Sequence, residues 1–226
     1  MIGEESGARV LRVHTLAADP RVCRVDIEGR GQFRLDVETA RALGLVEGQE
    51  IGEAVLSRIA EAAARHDART VALRLLQRRL RSRAELEAAL RRRRIARETI
   101  LALSAELRVA GWIDDSRFAR VWIQDRMALR PCGARRLRAE LLAKGVAPQI
   151  AEEAIAALVP RAAEDTLALE QARARLKRLG GLAPVVARRR MAAWLQRRGY
   201  AADVIVRTLR AVTREHPDQP DVDPAA

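Results

Sequence analysis

The sequence predicts a mainly α-helical chain: three tandem copies of a three-helix unit forming an elongated, curved body, preceded by a small β-rich module. Three observations predict it. From about residue 57 to 214, apolar residues recur at spacings of three and four, and Gly and Pro punctuate the segments. Within that stretch one short pattern returns: Leu90 to Ala96, Leu141 to Ala147 and Leu195 to Ala201 align at offsets of 51 and 54 residues. Each copy reads as a helix end, a sharp turn and a new helix, and stacked helical units of this kind share one continuous surface. Ahead of the repeats, residues 9–37 alternate with a period of two instead.

In the N-terminal module, Arg9–Thr15 alternates, and so do Val22–Ile27 and Gln32–Val37 on either side of Glu28-Gly29-Arg30-Gly31. The last two runs read as a hairpin around a glycine turn. Glu38–Leu43 reads as a short helix stopped by Gly44. The module is too small to be stable without its neighbour.

The first helix of the repeat region is expected over Ser57–Leu80. Ser82-Arg83-Ala84-Glu85 is a capping box, in which the serine hydroxyl accepts a first-turn amide and the glutamate can reach back. Arg97–Arg108 follows, with Gly111 just past its end. Asp114 is the expected cap of Asp115–Leu129, whose inward side is Phe118, Val121, Trp122 and Leu129. Ala134–Ala143 ends at Lys144-Gly145, Pro148 opens the next helix and Pro160 ends it. Arg161–Leu179 runs to Gly180-Gly181, Val185–Arg198 lies between Pro184 and Gly199, and Asp203 is the expected cap of the last helix. Gly145 and Gly199 suit turns that demand positive φ; Arg94 holds that place in the first copy, at a cost of about 1 kcal/mol. The expected division is 1–56 for the β-rich module, 57–114, 115–160 and 161–214 for the repeats, and 215–226 for a disordered acidic tail.

The net charge of +12 is unevenly spread. Residues 1–60 hold 8 basic and 10 acidic groups, whereas residues 61–214 hold 34 basic and 16 acidic, a net +18. A field of that sign favours nucleic acid or another polyanion. Arg outnumbers Lys 40 to 2, so part of the excess reflects an Arg-biased composition. Cys23 and Cys132 stand far apart and His14, His66 and His216 are scattered, which excludes a zinc pattern and points to a reduced, cytoplasmic protein. The acidic start lacks a signal-peptide core, and no run of about 18 apolar residues marks a membrane span.

The candidate contact residues form three clusters. Arg78, Arg79, Arg81 and Arg83 stand beside Arg91, Arg92, Arg93 and Arg94; Arg135, Arg136, Arg138 and Lys144 form the second; Arg188, Arg189, Arg190, Arg197 and Arg198 form the third. Arg suits phosphate and carboxylate alike through its two-pronged fork. The competing reading is a solvated face with helix C-termini matched to their dipoles, and it holds for any single Arg more readily than for the set. Asp114-Asp115 resembles a carboxylate pair, but capping explains Asp114. Trp112, Phe118, Trp122, Trp194 and Tyr200 could stack on bases, yet their spacing says core, with Trp112 the one expected outside. No Gly-rich phosphate loop, HExxH or GxSxG element is present, so no catalytic, cofactor or metal site is expected.

Two segments resemble the RecX family, regulators of the recombinase RecA. Gly111-Trp112-Ile113-Asp114-Asp115-Ser116-Arg117-Phe118-Ala119 is similar to the family's G-x-hydrophobic-D-[DE]-x-x-[FY]-A segment. Residues 133–146, with Glu140-Leu141-Leu142-Ala143-Lys144-Gly145, resemble the family's basic helix ending in E-L-x-x-K-G. Arg81 to Leu86 matches the start of its first repeat, and Leu45-x-x-Gly48-Gln49 the end of an N-terminal extension some members carry. The resemblance covers about residues 60–210; Arg93-Arg94 in place of Lys-Gly is the main departure. It implies a non-enzymatic modulator that binds RecA filaments on single-stranded DNA and suppresses ATP hydrolysis, strand exchange and co-protease activity. Some members also bind DNA directly, so single-stranded DNA and, second, duplex DNA are expected partners, with a monomer as the expected state. The alternatives are a helical DNA-binding protein acting without a recombinase, and an adaptor for another acidic protein.

Overall fold

The computed structural model describes residues 7–179 and 182–215, in two compact units: Met1–Leu80 with Leu86–Ile113, and Arg81–Glu85 with Asp114–Ala226. The first unit opens on four antiparallel strands, β1 (Ala8–Leu16), β2 (Asp19–Ile27), β3 (Gly31–Asp36) and β4 (Glu50–Ile51), in the order β3-β2-β1-β4. Val25 stands opposite Val13 on one side and Phe33 on the other, so period-2 alternation delivers Val10, Val25, Ile27 and Leu35 to one buried face. The expected hairpin is β2–β3, turned at Gly29 and Gly31 with φ of 67° and 87°. The two-residue β4 is too short to show any alternation in the sequence.

Helix α1 (Val37–Ala42) lies beside β2 and β3, and α2 (Glu53–Arg78) follows. Helix α2 starts four residues ahead of the expected Ser57, with Gly52 at its N-cap position, because Leu56, Ile59 and Ala63 pack on the sheet. Its second half sends Ala68, Ala72 and Leu75 into a different core, shared with α3 (Arg83–Arg91) and α4 (Arg97–Val109) through Leu86, Leu90, Ile100, Leu103 and Leu107. One helix thus closes the sheet and opens the helical region, which explains how so small a sheet stays folded. Each fully buried Leu or Ile in these cores contributes roughly 1.5–3 kcal/mol.

The second unit holds α5 (Asp115–Leu129), α6 (Ala134–Ala143), α7 (Pro148–Leu158), α8 (Arg161–Leu176), α9 (Pro184–Arg197) and α10 (Ala202–Glu215). Helix α7 packs on α5 and α6, and α10 on α8 and α9. Asp114 caps α5 as expected, its carboxylate accepting from Arg117 N at 2.9 Å. Asp203 does not cap α10: the helix begins at Ala202 and the Ala201 carbonyl takes the bond from Ile205 N. Asp203 sits inside the first turn, where the helix dipole favours a carboxylate, and pairs with Arg161 and Arg207. Leu129, expected inward, is 82% exposed, because α5 is ending there and Pro131 stops it. Helix α8 ends at Leu176; Gly180-Gly181 and residues 216–226, including most of the expected acidic tail, lie outside the described residues.

The recurring sequence pattern is one backbone motif used three times. After α6, Gly145 N bonds to Leu142 O at 2.9 Å and Val146 N to Leu141 O at 3.1 Å; after α9, Gly199 N bonds to Gln196 O at 2.9 Å and Tyr200 N to Leu195 O at 3.2 Å. These paired bonds satisfy the last carbonyls of each helix and demand a positive φ at the residue between them. Arg94 obeys the same demand at φ 60°, the one non-glycine positive φ among the described residues, with Arg94 N on Arg91 O. The apolar residue after each turn packs back toward a fully buried leucine: Leu90, Leu141 or Leu195.

Candidate polyanion interface

Within the second unit, the start of a repeat's second helix docks on the tight turn of the next repeat, and it does so twice. In the first joint, the Ser82 hydroxyl donates to Lys144 O at 2.6 Å while accepting from Glu85 N at 3.1 Å. The capping box therefore forms with its serine, and its Glu85 carboxylate takes Lys144 Nζ at 3.0 Å. Asp115 accepts from Arg83 N at 2.8 Å. A methyl on Gly145 would overlap the Ala84 side chain.

In the second joint, Gly133 N donates to Arg198 O at 3.0 Å and Arg135 N to Gly199 O at 3.2 Å. Glu164 accepts from Ala134 N at 2.8 Å. A methyl on Gly199 would overlap Arg136 and come within 2.6 Å of its backbone nitrogen. Ser82 and Gly133 are 51 residues apart, as the repeat requires. Asp115 and Glu164, each in the first helix of the following repeat, do one job: each supplies the carboxylate that takes the first amide of the preceding repeat's second helix. Neither was singled out for this from the sequence, because the two acids do not align: Asp115 is the first residue of α5 and Glu164 the fourth of α8, 49 residues apart where the repeat offset is 54.

This docking decides where the expected contact residues stand. Arg83 and Lys144 stand at the first joint, with Arg81 next to Ser82 in sequence; Arg135, Arg136 and Arg198 stand at the second, with Arg197 next to Arg198 in sequence. Lys144 is held in place, its ammonium 3.9 Å from the centre of the Trp122 ring and 6.0 Å from that of Phe118, besides its Glu85 partner. Arg136 and Arg126 both bond Glu140, at 2.9 and 2.7 Å. Burial alone would raise the Glu140 carboxyl, but the Arg136 and Arg126 guanidiniums outweigh it and hold the group below its ordinary value of 4.5. Arg138 pairs with Glu152 and ties α6 to α7. Arg198 donates to Pro131 O at 3.0 Å and lies 4.9 Å from the Trp194 ring centre.

Arg135 and Arg197 are exposed and make no ion pair among the described residues. Arg188, Arg189 and Arg190 are exposed on successive positions of α9, so they cannot all share one face. In the first unit, Arg78 and Arg79 end α2, while Arg91 to Arg94 are exposed around the end of α3. There Arg91 reaches Glu87 at 3.9 Å, and Arg93 donates to Ala89 O at 3.0 Å. Of the aromatic residues, Phe118 and Tyr200 are buried, Trp122 and Trp194 half-buried, and Trp112 is 47% exposed. Among the described residues no group of three or more His, Cys, Asp or Glu side chains could hold a metal ion. No described helix is long and apolar enough to cross a membrane.

Three-helix units joined by one repeated contact, with arginines at a joint that have no ion pair among the described residues, define a tandem helical-repeat protein with a basic surface. Models of the second and third three-helix domains of RecX match residues 114–155 and 163–209. The chain is 40% identical over 143 residues to the regulatory protein RecX of Thermobifida fusca, covering 63% of this chain and 77% of that one. It is 34% identical over 149 residues to the regulatory protein RecX of Amycolatopsis mediterranei, covering 66% and 85%. The protein belongs to the RecX family of regulatory proteins. Its fold is shared with a crystal structure of regulatory protein RecX, at a TM-score of 0.75 and 18% identity over 87% of this chain and 96% of that one. It is also shared with RecX from Lactobacillus salivarius, at 0.63 and 21% over 67% and 97%.

Proposed function

We propose that this protein regulates the recombinase RecA in the cytoplasm, as a non-enzymatic binder of RecA filaments on single-stranded DNA that suppresses ATP hydrolysis, strand exchange and co-protease activity. Family membership supports the choice of partner. The observation that carries the reading is the second joint, where backbone docking gathers Arg135 and Arg197 from two repeats, exposed and without carboxylate partners among the described residues. A filament presents repeated acidic and phosphate groups along its length, and tandem repeats bearing cations at their joints match a repeating partner. The functional division is a β-rich module over 1–56, repeats over 57–114, 115–160 and 161–214, and an acidic tail over 215–226. Arg135 and Arg197 lead the contact set; Arg136, Arg138, Lys144 and Arg198 serve the fold first.

The test is ATP hydrolysis by the cognate RecA on single-stranded DNA, titrated with this protein at fixed moderate salt. Inhibition well below one molecule per RecA is expected. No inhibition at excess, with DNA binding intact, would replace the reading with a helical DNA-binding protein acting without a recombinase.

A further inference from the structure

Beside the second joint lies an open cavity of about 320 Å³ whose wall includes Arg130, Arg175, Arg178 and Arg198 and no carboxylate. Three of these four arginines were not among the residues expected to bind anything. The cavity exists because Pro131 stops α5 and turns the chain across the ends of α8 and α9. Arg130 is the residue just past α5, Arg175 and Arg178 lie at the end of α8, and Arg198 just past α9. Three helix ends explain part of the positive charge, since each carries roughly half a negative charge. Together they offset about 1.5 of the four positive charges, and the remainder has no acidic partner in the wall.

The wall also carries flat and apolar surface. Trp194 lines the cavity, with Arg198 and Arg175 at 4.9 and 5.8 Å from its ring centre, and Leu129 stands at the rim 82% exposed. Gln171 spends its amide nitrogen on Pro131 O and the Tyr200 hydroxyl, which fixes its orientation and leaves its oxygen without a donor among the described residues. Arg175 Nε lacks an acceptor among the described residues. A cavity of this size sits at the small end of ligand pockets, roughly 300–1,000 Å³.

We infer that this cavity binds a nucleotide unit of single-stranded nucleic acid, with the guanidiniums on the phosphate and Trp194 and the arginine planes against the base. A phosphodiester uses the guanidinium forks, and a base offers both a face to stack and polar edges to bond. An acidic peptide would use the charges and leave the aromatic wall without a role. Stacking tolerates any base, so the site is indifferent to sequence. The inference rests on the DNA half of the function proposed above and is independent of the RecA half.

The experiment uses the full-length protein without RecA. Binding of fluorescent oligothymidylate is measured by anisotropy across a salt series, for the parent and for the double variant Arg130→Ala/Arg178→Ala. Both side chains are exposed and without ion pairs among the described residues, so the melting temperature is expected to hold. The variant is expected to bind at least tenfold more weakly, with the salt slope shallower by about 1.4, or 0.7 for each of two lost phosphate contacts. In a Trp112→Phe/Trp122→Phe background, quenching of the Trp194 emission by the same oligonucleotide is expected. Unchanged affinity in the arginine variant, or no quenching, overturns the proposal. Oligoglutamate of equal charge displacing the DNA equally well also overturns it, in favour of an acidic peptide. RecA inhibition that persists in the arginine variant bears on the filament reading alone, so the two can fail separately.

Discussion

The two joints of the second unit are built to one plan and finished differently. Both dock the start of a second helix on a glycine turn, and both satisfy the first amide with a carboxylate from the first helix of the following repeat, Asp115 or Glu164. At the first joint the cation before the glycine, Lys144, is sealed by Glu85 and Trp122. At the second, Arg198 has a carbonyl and Trp194 but opens onto an arginine-walled cavity. The backbone plan secures the fold, and the side chains around it settle whether a joint is a seam or a surface. Buried ion pairs that complete a seam cannot also reach a partner, so unpaired arginines are better contact candidates than paired ones.

The largest way to break the comparison is to fill the turns. Gly199→Ala meets the Arg136 backbone as well as a positive φ of 85° and is expected to cost about 3 kcal/mol or more in urea unfolding. Gly145→Ala also carries a positive φ, of 74°, but overlaps only the Ala84 side chain, so a second change, Ala84→Gly, should recover the overlap part of its loss. No single side-chain change should rescue Gly199→Ala, because its obstacle is backbone.

Next in size is the seal. Lys144 and Glu85 have side chains 22% and 18% exposed, so Lys144→Ala is expected to cost about 1–2 kcal/mol, while exposed Arg135→Ala should stay within about 0.5 kcal/mol. Glu140→Gln gives a smaller, pH-dependent loss. A carboxyl held below its ordinary 4.5 contributes stability that is fully present above that value and lost as pH falls through its lower folded value. The gap in melting temperature between parent and variant should therefore be open at neutral pH and close on acidification. Smallest, and opposite in sign, is Arg94→Gly. It relieves a positive φ at a non-glycine residue and should stabilise the first repeat by about 0.5–1 kcal/mol.

Much of this was legible because it is local. The Schellman turns follow from glycine spacing, the α5 cap from Asp114, and the β2–β3 hairpin from alternation around Gly29 and Gly31. Arg94 could be placed in a left-handed turn from alignment with Gly145 and Gly199, and it is there. The joints were not legible, since Ser82 to Lys144 and Ala134 to Glu164 are bonds between distant segments. For the same reason the second roles of Asp115 and Glu164 stayed hidden. Arg130, Arg175 and Arg178 lie outside the dense arginine runs, and only the crossing at Pro131 brings them together. Conversely, Arg136 and Arg138 looked like surface charge because their carboxylate partners sit one turn or one helix away.

The most direct test of the distinction between seam and surface compares RecA ATP hydrolysis on single-stranded DNA in the presence of two variants of this protein, Arg135→Ala/Arg197→Ala and Lys144→Ala, each dosed by its folded fraction. The arginine variant is expected to keep its melting temperature and lose inhibition, while the Lys144 variant melts earlier yet inhibits as the parent does. Full inhibition by the arginine variant, with inhibition lost from folded Lys144→Ala, would contradict the distinction.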